Sequence, residues 1–200
     1  MRPRSISLIL SMALLALPHL GFCDDLPLVT CVGLGFGKCL NDYAPSGSVA
    51  AGIGIMHELQ GRSIGIGFDL GYVGLGTDTR TYRAPSGRTK RQDERWFSTP
   101  MTGQIYLFLP TAERARFYLD GGAGFYEVHR ANLKEPVRKP PGPLPDPETQ
   151  GALGVNGGIG WVSDRPDRPW VFGFDLKLHA VATNKQPTEF VTLLARIYFR

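Results

Sequence analysis

Six residues with side chains suited to electrostatic or acid–base chemistry share the polar faces of alternating segments. They are Asp69, Asp120, Asp175, Lys177, His179 and Arg196. Buried charges must be paired or solvated, and three acids with two permanent bases can neutralise most of one another's charge. We therefore interpret the set as a polar cluster inside the fold, with His179 near Asp175. No residue of the chain is predicted to be catalytic.

The sequence has three cysteines. If an N-terminal export signal is cut off after Cys23, two remain, Cys31 and Cys39, and they allow two interpretations. An even number of cysteines in an exported chain favours a disulfide. An extended strand from 31 to 39 would separate their Cα atoms by roughly 26 Å at about 3.3 Å per residue, whereas a disulfide needs about 4.4–6.8 Å. Either the disulfide exists and the chain reverses near Gly35, or the strand is straight and the thiols stay apart.

Motifs for metal ions and phosphates are missing from the sequence. Neither cysteine has a nearby histidine or a further cysteine pair, as a zinc site requires. The glycine-rich run 33–37 lacks the Gly-Lys-Ser/Thr and the helix of a phosphate-binding loop. We expect no cofactor and no metal.

Apolar and polar residues alternate with a period of two along most of the chain, which is typical of strands with one apolar face. In Ser63–Tyr72, isoleucine, phenylalanine, leucine and tyrosine alternate with serine, glycine and aspartate. The same pattern predicts seven strands, at about 49–55, 63–72, 97–109, 117–126, 153–161, 170–179 and 191–199. A weaker eighth strand spans 28–37, and bacterial single-chain barrels have even strand numbers.

The predicted connections alternate between long and short, as expected for an up-and-down barrel. The long ones are Lys38–Gly47, Gly76–Glu94 and Arg130–Thr149, whereas the chain turns tightly around 60–62 and 110–115. The loop Gly76–Glu94 is basic, with Arg80, Arg83, Arg88, Lys90 and Arg91. The loop Arg130–Thr149 is rich in proline, so it must leave the sheet.

Glycine on the polar faces indicates which side of the sheet lies inside. An eight-stranded barrel is barely wide enough inside for side chains, so glycines there would leave room for Tyr106, Tyr118 and Tyr126. The apolar faces would then meet lipid, with aromatic belts at both ends. We assign Phe117, Trp161, Trp170 and Phe199 to the short-turn belt, and Tyr72, Trp96, Phe97 and Phe125 to the long-loop belt.

The N-terminus has the form of a secretion signal, with Arg2 and Arg4 before the apolar run Leu8–Leu20. Small residues at Gly21 and Cys23 place the cleavage site before Asp24, although a lipid on Cys23 is an alternative. We therefore divide the chain into a signal peptide (1–23) and a barrel domain (24–200). The mature chain would carry 20 basic and 18 acidic residues, a balance that does not favour nucleic acid.

From Leu28 to Arg200 the chain resembles the small outer-membrane β-barrels of bacteria, which include opacity-type adhesins and barrel domains of the OmpA and OmpX type. The resemblance rests on the export signal, the alternating strands and loops, and the aromatic ending Ile197–Phe199, although Arg200 follows it. It implies an all-β fold: one antiparallel, up-and-down, eight-stranded transmembrane barrel. Small barrel deacylases of this kind carry His-x-Ser on a late strand, whereas Ala180 and Val181 follow His179 here.

The resemblance implies a non-enzymatic protein of the bacterial outer membrane with a structural or surface-interaction role. Its partners would be outer-membrane lipid or lipopolysaccharide, the barrel-insertion machinery and extracellular partners of the long loops, and we expect a monomer. A narrow channel or solute transporter is one alternative. A soluble exported barrel that binds an apolar ligand is the other.

Overall fold

The structure, a computed structural model, describes residues 28–40, 47–59, 63–83, 89–110, 115–132, 149–163, 168–183 and 188–199. The predicted signal peptide and the prolines of the predicted loop 130–149 lie outside these ranges. The strands are β1 (Leu28–Cys39), β2 (Ser48–Glu58), β3 (Ile64–Arg83), β4 (Thr89–Phe108), β5 (Ala115–Asn132), β6 (Thr149–Ser163), β7 (Trp170–Val181) and β8 (Thr188–Phe199).

The eight strands form one closed barrel in chain order, and every neighbouring pair is antiparallel. Closure comes from β1 and β8, which pair from Thr30–Phe199 to Cys39–Phe190. A closed sheet leaves no strand edge unpaired along its wall, and this makes it compatible with a bilayer. The predicted eight-stranded up-and-down barrel is confirmed. In the described ranges, no helix has the length and apolarity needed to cross a membrane.

The outer surface of the barrel is apolar and its charged side chains point inward, as the glycine distribution predicts. Along β7, Phe174 and Leu178 are more than half exposed, while Asp175 and Lys177 between them are almost completely buried. On β5 the outward positions from Phe117 to Phe125 are all apolar or glycine. Those eight residue steps correspond to roughly 20 Å along the membrane normal, given about 3.3 Å per residue and a tilt of about 40°. The band is of the height that a thin bilayer requires.

Glycines on the inner wall make room for tyrosine rings. A Cβ atom on Gly160 would overlap the ring of Tyr118 from the adjacent strand. A Cβ atom on Gly154 would lie 2.8 Å from Cε2 of Tyr126. Both tyrosines are buried, so the absence of these two side chains lets large rings fill a narrow interior.

β3 and β4 continue far beyond the predicted strand ends, so the prediction of a loop over Gly76–Glu94 is wrong for 76–83 and 89–94, while 84–88 lie outside the described residues. The two strands stay paired from Gly76–Trp96 to Arg83–Thr89. β5 likewise continues to Asn132, past the predicted loop start at Arg130. Apolar alternation stops near Tyr72 because the strands leave the apolar band there, and hydrogen bonding of the ladder continues without it.

A β-bulge lies where β3 leaves the band. The pairing with β4 shifts between Gly74 and Gly76, which makes Leu75 the extra residue. Gly76 has φ of 128°, a conformation that favours glycine, and Leu75 is fully buried. On the facing strand Trp96 packs against buried interior residues, so its assignment to the outer aromatic belt is wrong.

The first strand is straight, and this decides between the two interpretations of the cysteines. Cys31 and Cys39 lie on the same inward face of β1, eight residues apart; both are buried and neither is part of a disulfide. The candidate Cys31–Cys39 disulfide is therefore not formed. Pairing of β1 with both β2 and β8 holds the segment extended, so the chain does not reverse at Gly35.

We expect Gly160→Ala to destabilise the barrel and Gly157→Ala to leave it unchanged or slightly more stable. The first methyl group would collide with Tyr118, and overpacking costs about 1–3 kcal/mol. The second would point outward, with its nearest atom, the Asp120 carbonyl oxygen, at 3.7 Å. Urea unfolding of the barrel in detergent micelles measures both changes, and equal effects would contradict the assignment of the two faces.

We expect Ala195→Arg to impair folding into lipid vesicles by about 2–4 kcal/mol, because its position is near the centre of the apolar band. The matched change Val49→Arg, at the rim of the band, should cost about 0–1 kcal/mol. Both residues are on the outer surface. Equal folding yields in vesicles for the two variants would favour a barrel whose outside faces water.

Candidate functional site

An ionic layer crosses the lumen at mid-height, formed by five of the six predicted polar residues. Lys177 Nζ lies 2.8 Å from Asp69 Oδ2, 2.8 Å from Asp120 Oδ2 and 3.6 Å from Asp175 Oδ2. Arg196 places Nη1 3.0 Å from Asp69 Oδ1 and Nη2 2.7 Å from Asp175 Oδ2. Both cations thus bridge carboxylates from different strands, and the layer links β3, β5, β7 and β8 across the barrel.

The strand register brings these charges to one level. Asp175 and Lys177 are two residues apart on β7, so both point inward. Lys177 pairs with Gly158 on β6, which in turn pairs with Asp120 on β5. A Cβ atom on Gly158 would lie 2.7 Å from Asp120 Oδ1 and 2.9 Å from Lys177 Cγ. The glycine therefore lets the two charged side chains meet.

His179, the sixth predicted residue, belongs to a separate network. Its Nδ1 lies 3.2 Å from Tyr126 Oη and its Nε2 lies 3.1 Å from Thr192 Oγ1. Asn156 donates a hydrogen bond to the same tyrosine oxygen at 3.1 Å. The imidazole ring also stacks on Phe190, with ring centroids 4.4 Å apart. Both ring nitrogens have partners, and the histidine is buried, so the arrangement is that of a structural residue.

Apolar side chains close the lumen on both sides of the ionic layer. The upper plug, at the long-loop end, includes Cys39, Val73, Leu75, Tyr126, Val128, Val181 and Phe190. The lower plug includes Val29, Cys31, Met56, Tyr106, Phe108, Tyr118, Val162, Val171 and Tyr198. The plugs were not predicted from the sequence, although the valines at inward positions near the strand ends indicate an apolar interior there. A charged layer between two apolar plugs does not form a continuous water path.

The lumen contains a small cavity beside the ionic layer. Its volume is about 30 Å³, and its lining includes Gly71, Pro100, Gln104, Lys177 and Arg196. Pairing between β3 and β4 is interrupted next to it, between Leu70–Met101 and Val73–Ser98, where Pro100 has no N–H to donate. A cavity of this size holds about one or two water molecules, far less than a solute.

The thiols of the two cysteines lie in the two plugs. Cys31 Sγ accepts a hydrogen bond from Arg196 Nη1 at 3.0 Å, and Cys39 Sγ is 3.5 Å from the carbonyl oxygen of Glu189. Among the described residues, no group of three or more histidine, cysteine or acidic side chains is arranged to hold a metal ion. The acidic groups of the ionic layer converge on Lys177 instead.

Among solved structures, Neisserial surface protein A matches the chain with a TM-score of 0.61 and 11% identity, over 86% of this chain and 96% of that one. The chain has the fold of the small outer-membrane β-barrels. Two further matches are Ail of Yersinia pestis, solved with the heparin analogue sucrose octasulfate (TM-score 0.47, 12%, 86% and 97%), and the N-terminal barrel domain of Pseudomonas aeruginosa OprF (0.44, 11%, 86% and 97%). No protein-family model and no curated protein matches the sequence.

At this level of identity the likeness to the small outer-membrane barrels concerns the backbone. The ionic layer, the plugs and the strand extensions are therefore properties of this chain's own residues.

We expect Lys177→Met to lower the free energy of unfolding by about 3–5 kcal/mol, because it removes one partner of a buried ionic cluster. Asp120 would lose its cationic partner in the layer. Lys38→Met is the matched control, since Lys38 is exposed on the outside of β1, and should change stability by less than about 0.5 kcal/mol. Urea titration monitored by gel mobility measures both. Similar stabilities for the two variants would show that the ionic layer does not hold the barrel together.

Proposed function

We propose that the protein is a non-enzymatic β-barrel of the bacterial outer membrane that acts through its surface. The observation that carries this proposal is the combination of a filled lumen with a tall rim on one side of the barrel. The rim is the part of β3, β4 and β5 that continues beyond the apolar band. β3, β4 and β5 have 20, 20 and 18 residues, whereas β1, β2, β7 and β8 have 11 or 12. The barrel itself anchors the protein in the membrane, and the extended strands β3, β4 and β5 supply an accessible contact surface.

The height of this rim follows from strand geometry. From Tyr72 to Arg83, β3 continues for eleven residues beyond the apolar band. At about 3.3 Å per residue and a tilt of about 40°, this corresponds to roughly 28 Å above the hydrocarbon boundary. The polar headgroup region adds about 5–8 Å on each side of the hydrocarbon. The rim therefore extends past the headgroups, where it can reach surface glycolipid or external partners.

The filled lumen argues against the channel alternative. An ion crossing the barrel would have to pass two apolar plugs and displace the ion pairs of Lys177 and Arg196. The apolar exterior argues against the soluble alternative, because a contiguous belt of exposed large apolar residues is not tolerated in water. The filled interior also has no room for a ligand cavity of the kind that lipocalins have.

Contact with the barrel-insertion machinery is part of the same proposal. Phe199 ends β8, is exposed on the outside and pairs with both Trp170 and Thr30. An aromatic residue at the end of the last strand is therefore accessible on the surface of the wall.

The test is membrane fractionation followed by gel electrophoresis with and without boiling. We expect the mature chain in the outer-membrane fraction, with a mobility that shifts on boiling. A soluble chain without the shift would contradict the membrane location.

Conductance measurements in planar lipid bilayers test separately whether the lumen is closed. We expect no single-channel conductance, and discrete conductance steps would favour the channel.

A further inference from the structure

The ionic layer has three carboxyl groups and only two cations. The carboxyl groups are those of Asp69, Asp120 and Asp175, and the cations are Lys177 and Arg196. The apolar plugs close the lumen above and below this layer. An uncompensated charge is so costly in such a place that a buried group becomes neutral instead. With every carboxyl group ionised, the layer would need one more positive charge than these residues provide.

The other basic residues whose side chains are described do not provide this charge. Arg116 points inward at the lower mouth of the barrel, where its Nη1 lies 2.9 Å and 3.0 Å from the two carboxylate oxygens of Glu58. Lys38, Arg95 and Arg168 have exposed side chains. These four cations are therefore engaged at the mouth or lie on the outside of the barrel.

His179 is neutral in its hydrogen-bond network and adds no charge either. Its Nδ1 lies 3.2 Å from Tyr126 Oη, which accepts a hydrogen bond from Asn156 Nδ2 at 3.1 Å. Among the described residues, Nδ1 is the one acceptor for the hydroxyl hydrogen of Tyr126. A ring nitrogen that accepts this hydrogen carries no proton of its own, so the ring proton is on Nε2, which donates to Thr192 Oγ1 at 3.1 Å.

The two cations of the layer are shared unequally among its carboxyl groups. Asp69 accepts hydrogen bonds from Arg196 at both oxygens, at 3.0 Å and 3.2 Å, and from Lys177 at 2.8 Å. Asp175 lies 2.7 Å from Arg196 and 3.6 Å from Lys177. Asp120 contacts Lys177 alone, at 2.8 Å. Within the described part of the lumen, Asp120 is therefore the carboxyl group with the least compensation.

A shortage of hydrogen-bond donors points to the same residue. Gln104 on β4 and Asn156 on β6 both pair with Gly122 on β5, the next inward position above Asp120. The side chains of Gln104, Asn156 and Asp120 are each more than nine-tenths buried. In the described structure, no donor reaches the amide oxygens of Gln104 and Asn156 or Oδ1 of Asp120. A water molecule in the adjacent cavity can donate to Gln104, but it brings no charge.

The orientation of the two amides leaves their oxygens for a donor from the ionic layer. Gln104 Nε2 donates to Thr102 Oγ1 at 2.6 Å, and Asn156 Nδ2 donates to Tyr126 Oη at 3.1 Å. Both acceptors lie nearer the long-loop end of the barrel than the amides do. The oxygen of an amide points away from its nitrogen, so both oxygens are available on the side of the layer.

We propose that Asp120 binds a proton in the folded barrel at about pH 6, where an exposed aspartate is ionised. The proton comes from solvent during folding and forms an O–H bond on the carboxylate, and no other covalent bond changes. It removes the excess negative charge of the layer. It also turns an acceptor into a donor, which the amide oxygen of Asn156 or Gln104 can accept. Lys177 and Arg196 then balance Asp69 and Asp175.

Proton binding makes the stability of the barrel depend on pH with a definite sign. An aspartate of the unfolded chain loses its proton near about pH 4, so folding at a higher pH takes up one proton. Raising the pH therefore favours unfolding, and the equilibrium constant for folding falls by up to about tenfold per pH unit until the folded barrel also releases the proton. The charged and titratable side chains around Asp120 in the lumen are Asp69, Tyr106, Tyr118, Asp175, Lys177 and Arg196. Tyrosine, lysine and arginine ordinarily titrate at about pH 10 or above, so a weakly acidic to neutral range reports on a carboxyl group of the layer.

The test compares changes of carboxyl to amide in the full mature barrel, folded in detergent micelles and unfolded by urea. Asparagine is neutral, as a protonated aspartate is, and its amide can donate a hydrogen bond. We expect Asp120→Asn to be at least as stable as the wild type, with an advantage in the folding equilibrium constant that grows by up to tenfold per pH unit from about pH 5 to 7. Asp69→Asn should lower that constant by at least about tenfold, because Asp69 accepts hydrogen bonds from both cations.

Infrared spectroscopy detects the bound proton directly. In the same pH range, the folded wild type should show the carbonyl stretch of a protonated carboxylic acid, and this band should shift in D2O. The band should be missing from Asp120→Asn. It should remain in the matched control Glu189→Gln, because Glu189 has an exposed side chain on the outside of β8. Heat-modifiable gel mobility confirms that each variant is folded.

Two results would overturn the proposal outright: an Asp120→Asn barrel as unstable as Asp69→Asn, or a wild type without the carboxylic acid band. A third would replace the proton by a metal cation. This result is a wild type that becomes more stable when N-methylglucamine is exchanged for sodium at constant pH and ionic strength, with no such gain in Asp120→Asn. All of these measurements are made in micelles, so their outcome is independent of the cellular location and surface role proposed above.

Discussion

The constraint on which the structure depends is closure of the sheet. In a bilayer every backbone N–H and C=O must find a partner within the protein, and the pairing of β1 with β8 removes the last free edges of the wall. Closing only eight strands produces an interior barely wider than the side chains that fill it. Gly160 beside Tyr118 and Gly158 beside Lys177 are consequences of that narrow interior.

The ionic layer follows from the same narrowness. Asp69, Asp120 and Asp175 are too confined to be fully hydrated, so Lys177 and Arg196 must compensate them at short range. Apolar residues above and below separate these charges from water at both ends. Removing one cation is therefore costly, although replacing the entire layer by well-packed apolar residues need not be.

The wall of the barrel could be predicted from the sequence because a lipid-facing strand carries a strong period of two. Phe172, Phe174 and Leu176 alternating with Gly173 and Asp175 identify both the strand and its inner face. The charged residues of the lumen could be named by the same alternation.

Above the membrane the strands lack this alternation of apolar and polar residues. Residues 77–83 and 89–95 are polar on both faces, so their composition is that of a loop although they are paired. Trp96 was misplaced because it was assigned by its aromatic type, whereas the alternation of β4, in which Ser98 two residues on is fully buried, turns it inward. The separate network of His179 with Tyr126 and Thr192 depends on side-chain reach across strands, which periodicity does not contain.

The unequal strand lengths also give the barrel a front and a back. On the β7–β8–β1–β2 side the strands themselves are short, so they do not hold a neighbouring membrane protein away from the wall of the barrel. On the β3–β4–β5 side the tall rim sterically keeps the external parts of a neighbouring protein at a distance. Rotation of the barrel about its axis therefore changes which encounters are sterically allowed, and a molecule with a nearly cylindrical anchor acquires a directional surface.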